Sequence, residues 1–329
     1  MKQKHQNYDL REMENNMNSF YLACSAVVPL LVYMVIGILI RSCGLFSREN
    51  FRALNRINFR VLIALSLFFS IYNSELGESI RPGLFAFLFF GLIISGITAW
   101  FAVGPFTKNI RDRATVTQGI FRSNYVLYGS VVAGALCGAV GQALAGAASM
   151  IVVTTINAMS VILFELCRGE KIRPGKLVVR VFSNPLVVAA VLAILFGITG
   201  IRLPELLYKP LYSLGQAATP IAMVTLGGIL SFGKIKDDLR EISAAVLGKL
   251  VIVPFIWILL GILLSFRQEE LVVILVAFGC PTAVASAPMA QEMGGNGDLA
   301  GEIVAATSVL SLITMFLFIL VLSQAGLIG

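Results

Sequence analysis

Ala277-Phe278-Gly279-Cys280-Pro281-Thr282-Ala283-Val284-Ala285-Ser286-Ala287-Pro288-Met289 is the stretch on which the fold turns. It lies inside an apolar segment, 270–291, long enough to cross a bilayer, for which about 20 residues are needed. Pro281 and Pro288 each lack the N–H a helix uses, and each clashes with the turn before it. In hydrocarbon, interrupted helix survives only where protein buries it or where it lines a cavity. A packing kink is one reading. The other is a functional break whose freed amides and carbonyls offer a ligand opposite partial charges at the two half-helix ends.

The same stretch has a counterpart upstream. Phe121 to Ser130, within Gly119-Ile120-Phe121-Arg122-Ser123-Asn124-Tyr125-Val126-Leu127-Tyr128-Gly129-Ser130, falls on Phe278 to Ala287. At nearly the same offset, 155–157 residues, Leu144-Ala145-Gly146 falls on Leu299-Ala300-Gly301 and Ala64 on Pro220, and residues 47–54 match the linker from Leu203. A constant offset over separate segments points to an internal duplication. Apolar spans read at 20–40, 57–73, 84–105, 115–136 and 143–166, then at 177–199, 206–231, 243–265, 270–291 and 298–325. Five spans per half is an odd number, so the second copy is upside down, as in secondary transporters that bind substrate at broken helices near the midplane. The fold class expected is an all-α polytopic membrane protein of ten transmembrane helices in two inverted five-helix repeats, with helices 4 and 9 broken and crossing. The division is a polar tail at 1–18, a first repeat at 19–166, a linker at 167–176 and a second repeat at 177–329.

Composition agrees. Of 329 residues, 57 % are hydrophobic and 13 % charged, against about 45–50 % and 25 % in soluble domains. The mean hydropathy is +0.87. A large soluble domain, a secreted enzyme and a single-span receptor are excluded. The net charge of +7 does not point to nucleic acid, because the basic residues lie in loops between spans. Sixteen of the 25 Lys and Arg, from Arg41 to Arg60, Lys108 to Arg113, Arg168 to Arg180 and Lys234 to Arg240, fall on one side. The positive-inside rule makes that side cytoplasmic and both termini external in a multi-pass cell-membrane protein. Five scattered cysteines without C-x-x-C give neither a disulfide framework nor a zinc motif. The lone His5 lies in the polar tail. No metal or other cofactor is expected, and no enzyme, since the spans carry no histidine, no Gly-x-Gly-Asp and no paired aspartates of prenyl-transfer type. No G-x-x-x-x-G-K-[ST] is present to bind ATP.

Two cations remain inside spans. Arg122 among apolar neighbours costs about 2.5–3.5 kcal/mol on insertion scales, so it is paired, hydrated or used; its planar fork fits a carboxylate, while snorkelling to the headgroups is the alternative. Lys249, in Val246-Leu247-Gly248-Lys249-Leu250-Val251-Ile252-Val253-Pro254, divides between the same readings. With no carboxylate at their depth, the pair gives the core a positive field that suits an anion. Asn124 aligns with Pro281, and Tyr128 follows one turn on. Gln291 and Glu292, with Asp298 and Glu302 nearby, are candidates for H+ or Na+ coupling or else a solvated loop. Thr307, Ser308 and Ser311, and Thr154, Thr155 and Asn157, are polar lining or interhelical glue.

With Arg122-Ser123-Asn124, Gly215 to Gly227 around Thr219-Pro220, Lys249 with Pro254, and Cys280-Pro281-Thr282, the chain from about Asn18 onward resembles the auxin efflux carrier family of permeases, which includes bacterial malate and malonate permeases. The resemblance implies a scaffold of spans 1, 2, 6 and 7, a moving part of spans 3–5 and 8–10, and a homodimer through the scaffold. It places substrate contacts at Arg122, Asn124 and Cys280–Thr282 with Lys249 close by, and the break and crossing at Asn124 to Gly129, Pro281 and Pro288. Gly129 is followed by Ser130 and Val131, where the family often has a proline. The function implied is alternating-access transport of a small organic anion, a mono- or dicarboxylate such as malate or malonate. A bile-acid/sodium-symporter type, carrying a larger organic anion, is the competing reading.

Overall fold

The structure, a computed structural model, describes residues 28–73, 81–107, 109–167, 179, 183–229 and 238–328. The polar tail at 1–18 and nearly all of the linker at 167–176 lie outside them. Among the described residues there is no strand, and the chain is helical almost throughout.

Helix α1 is Val28–Ser42 and α2 is Arg48–Tyr72. The latter starts where the Ser47 side chain accepts from Asn50 N at 3.2 Å, the usual way to satisfy an orphan amide. Helix α3, Pro82–Val103, has proline in its first turn, where no partner for its nitrogen is required. Helix α4, Ile110–Phe121, is capped by Asn109, whose Oδ1 accepts from Arg111 N and Asp112 N at 2.9 and 3.0 Å. After three non-helical residues the chain runs through α5 (125–137) and α6 (139–166), parted by Gly138 at φ 62°, ψ −153°. The two form a hairpin: Tyr125 Oη donates to Ala145 O at 3.0 Å, whereas twenty residues of straight helix would span about 30 Å.

Helices α7 (Pro185–Thr199), α8 (Glu205–Gln216) and α9 (Ala218–Ile229) follow. Helix α10 is Leu239–Leu263, with a wide turn at Gly248–Ile252 just before Pro254. The extra residue in that turn removes the need for a proline N–H. Helices α11 (Glu269–Gly279) and α12 (Ser286–Met293) flank the quoted break, and α13 is Gly297–Gln324.

Among the described residues five helical segments are long and apolar enough to cross a membrane, α2, α3, the 131–166 segment, α10 and α13, and shorter apolar helices accompany them. Large side chains such as Phe101, Ile198 and Leu206 stand 70, 76 and 86 % exposed. An outer surface this apolar faces lipid rather than water. This is a polytopic membrane protein.

Two groups of helices pack internally. Helix α2 lies against α7, α8 and α9, and α1 crosses α9 so closely that a Cβ on Gly37 would strike Val224 O and one on Gly227 would strike Met34 O. In the second group α11 is sheathed by α3, α10, α13 and the 125–166 hairpin, with every residue from Leu271 to Gly279 buried.

Two of the expected break positions are corrected. Gly129 lies within α5, one turn past its start, and Pro288 lies within the first turn of α12. Pro288 fits there because first-turn amides have no intrahelical partner to lose. The interruptions are at Arg122–Asn124 and Cys280–Ala285.

Candidate functional site

The two interruptions cross and pair. Asn124 N donates to Pro281 O at 2.9 Å and Ala283 N donates to Arg122 O at 3.0 Å, an isolated antiparallel bridge between Ser123 and Thr282. Backbone groups freed by breaking two helices thus satisfy each other, as burial in an apolar medium demands. Side chains complete the clamp: Thr282 Oγ1 donates to Gly119 O at 2.7 Å, and Thr307 Oγ1 accepts from Thr282 N at 3.2 Å.

Four half-helix ends meet at this crossing, the C-termini of α4 and α11 and the N-termini of α5 and α12. Their partial charges are treated differently. On the carbonyl side Lys249 Nζ donates to Phe278 O at 3.2 Å and to Ser123 Oγ, and Ser123 Oγ donates to Ala277 O. An ammonium therefore sits at the negative end of α11, its favourable place. Among the described residues the N-terminal side has no such counter-charge. A cavity of about 80 Å³ there is lined by Asn124, Tyr125 and Val126 at the start of α5, by Ala283 to Ala285 at the start of α12, and by Arg122 and Asn157.

Arg122 is 2 % exposed. Its guanidinium donates to Asn157 Oδ1 at 2.7 Å and to Met289 Sδ at 2.9 Å, while Nε has no partner. Asn157 is fixed in turn by Nδ2 donating to Val153 O at 2.8 Å. Among the described residues no carboxylate pairs with Arg122. The Nδ2 of Asn124 is also buried without a partner. Two amino termini, a guanidinium and spare donors around one cavity make a site for an anion with oxygen acceptors.

The structure brings only part of the sequence-derived set to this cavity. Arg122 and Asn124 line it. Lys249, Cys280, Pro281 and Thr282 are buried in the crossing and Tyr128 in α5, and none of them lines the cavity. Helices α2 and α9 supply the opposite wall through Ser66, Thr219 and Ala222. Thr219 stands in the Gly215–Gly227 stretch and was legible as part of it; Ser66 gave no signal. Asn58, hydrogen-bonded through Nδ2 to Ala218 O at 3.2 Å, gave none either.

A second cavity of about 550 Å³ shares Ser66, Asn124, Tyr125, Val126 and Thr219 with the first. It extends to Asn73, at the end of α2 away from Arg48. On the arginine-rich end α2 is tied to α12 and α13. Arg48 pairs with Asp298 at 2.9 Å, Arg56 with Glu292 at 3.5 Å, and Asn55 Nδ2 donates to Gln291 Oε1 at 3.0 Å. The sequence reading offered a loop for these acidic residues, but Gln291 and Glu292 lie at the end of α12 and Asp298 in the first turn of α13, and their partners come from α2.

A cavity at the crossing of two broken helices inside a lipid-facing helical protein fits one class, a multi-pass membrane transporter. The chain matches the family described as membrane transport protein over residues 22–319. It belongs to that family, the auxin efflux carriers. It is 24 % identical over 307 residues, 92 % of this chain and 99 % of the relative, to a protein of Methanothermobacter thermautotrophicus described as an uncharacterized transporter.

Proposed function

We propose that this transporter is a secondary carrier that moves a small organic anion, a mono- or dicarboxylate of the size of malonate or malate, by alternating access. The single observation that carries this reading is the cavity at Arg122, where a guanidinium with no carboxylate partner among the described residues and two helix N-termini face one space. One carboxylate group lies against Arg122 and the amides of Tyr125 and Val126, and its affinity comes from charge-assisted donors already in place.

In this reading the discontinuous segments are the fourth and ninth of ten spans in two inverted repeats. The group α3–α6 with α10–α13 moves against the scaffold α1, α2 and α7–α9, which also carries the homodimer contact. The arginine-rich end is cytoplasmic, so the conformation described is open to the outside. Lys249 neutralises the carbonyl ends of the crossing and is a positioning residue. Gln291 and Glu292 act in the cytoplasmic latch, and coupling to H+ or Na+ at these residues stays part of the reading.

Counterflow in proteoliposomes tests the proposal. Vesicles loaded with unlabelled malonate or malate should accumulate the labelled acid transiently, saturably, and not after Arg122→Gln. Linear, non-saturable flux would mean a channel, and a strict Na+ requirement with a bulky preferred cargo would favour the competing carrier type.

A further inference from the structure

A separate groove lies between α3 and α10, on the outside of the helix group that carries the crossing. It encloses about 500 Å³ and is floored by Ala99, Ile120, Ala244 and Gly248. The two helices are pinned at its deep end by Trp257 Nε1 donating to Ser95 Oγ at 2.6 Å. At the other end Arg240 lies over the Phe106 ring, 5.3 Å from its centroid. Between these points the walls are nearly all apolar, and several of their side chains, Ile94, Leu247, Ile252 and Ile256 among them, are also exposed on the outer surface.

We propose that this groove is a binding site for one acyl chain of an anionic phospholipid, with the headgroup phosphate on Arg240. Length supports it: from Phe106 to Ile94 is twelve residues of helix, about 18 Å, close to the roughly 15 Å hydrocarbon depth of one leaflet. Charge supports it too. Arg240 is an exposed cation at the arginine-rich end, and basic pockets between spans on the cytoplasmic side select anionic headgroups. A zwitterionic lipid fills the groove with the same chain and gains less at Arg240. The site touches neither Arg122 nor the latch, so it stands or falls apart from the substrate reading.

The test is native mass spectrometry of the purified full chain after exchange with defined phosphatidylglycerol or phosphatidylcholine. Wild type should retain phosphatidylglycerol in preference. Arg240→Gln, a change at an exposed residue, should lower that preference about fivefold, the equivalent of about 1 kcal/mol per interfacial cation, and leave phosphatidylcholine retention unchanged. Ala244→Phe, which fills the groove, should reduce retention of both lipids; Ala102→Phe, from the facing helix, does the same if the first variant fails to fold. Equal retention of the two lipids by wild type, an Arg240→Gln variant that keeps its preference, or plugged variants that bind as before would each overturn the proposal.

Discussion

Breaking the latch should open the arginine-rich side. The perturbation is the double variant Glu292→Gln, Asp298→Asn, which keeps size and removes both charges facing Arg56 and Arg48. Arg48 and Asp298 are 32 and 29 % exposed, and Arg56 and Glu292 are 63 and 10 % exposed. Pairs this open to water contribute about 0.2–1 kcal/mol each, so both together hold the closed side by roughly 1 kcal/mol. That multiplies the population open on this side about fivefold. The reporter is a cysteine at Asn58, fully buried beneath the latch, in a background without the native cysteines. Its maleimide labelling should speed up about fivefold in the double variant, while the unfolding temperature changes little. An unchanged or slower rate would refute the idea that these pairs hold the conformation, and so would a faster rate accompanied by a collapse in stability.

Three further outcomes follow from the same structure. Gly227→Leu should lower stability by at least about 1–3 kcal/mol, seen as a lower unfolding temperature, because its Cβ meets Met34 O where α1 and α9 cross; Gly146→Ala, with open space around it, should not. Lys249→Met leaves Phe278 O and Ser123 Oγ without their donor and should cost about 1–3 kcal/mol; anion affinity should fall less than in Arg122→Gln, since the ammonium does not line the cavity. Cys43, exposed just past α1 at the arginine-rich end, should react with impermeant maleimide in inside-out vesicles and not in intact cells; labelling from outside would reverse the orientation.

What was legible in the sequence was local chemistry. Pro281 announced an interruption because a proline within a span cannot be absorbed without cost. Arg122 announced a site because a charge among apolar neighbours demands a reason. The break beside Arg122 has no proline and no glycine: it exists because Pro281 O and Ala283 N, more than 150 residues away, take up the backbone groups that the helix gives up. That partnership is tertiary, so the sequence reading spread the break from Asn124 to Gly129, and the structure keeps Gly129 helical. Lys249 was placed beside the substrate contacts on its charge alone. Its charge was visible, and the helix end it serves, Phe278 O, was not. Glu292 and Asp298 read as a solvated loop because their partners Arg56 and Arg48 lie more than 230 residues earlier in the chain, while the structure holds both in helices.

The most direct test of the central claim is thermal unfolding of the purified protein against short mono- and dicarboxylates, with wild type and Arg122→Gln side by side. A ligand that binds only the folded state stabilises it by about 2.7 kcal/mol at a hundredfold excess over its Kd. Losing a charge-assisted bond to Arg122 removes about 1.5–3 kcal/mol of binding, or about 10- to 150-fold in Kd. The account predicts stabilisation of wild type by a malonate- or malate-sized acid, with the variant needing at least tenfold more. A variant stabilised at the same concentrations as wild type, or no stabilisation of either by any of these acids, would contradict it.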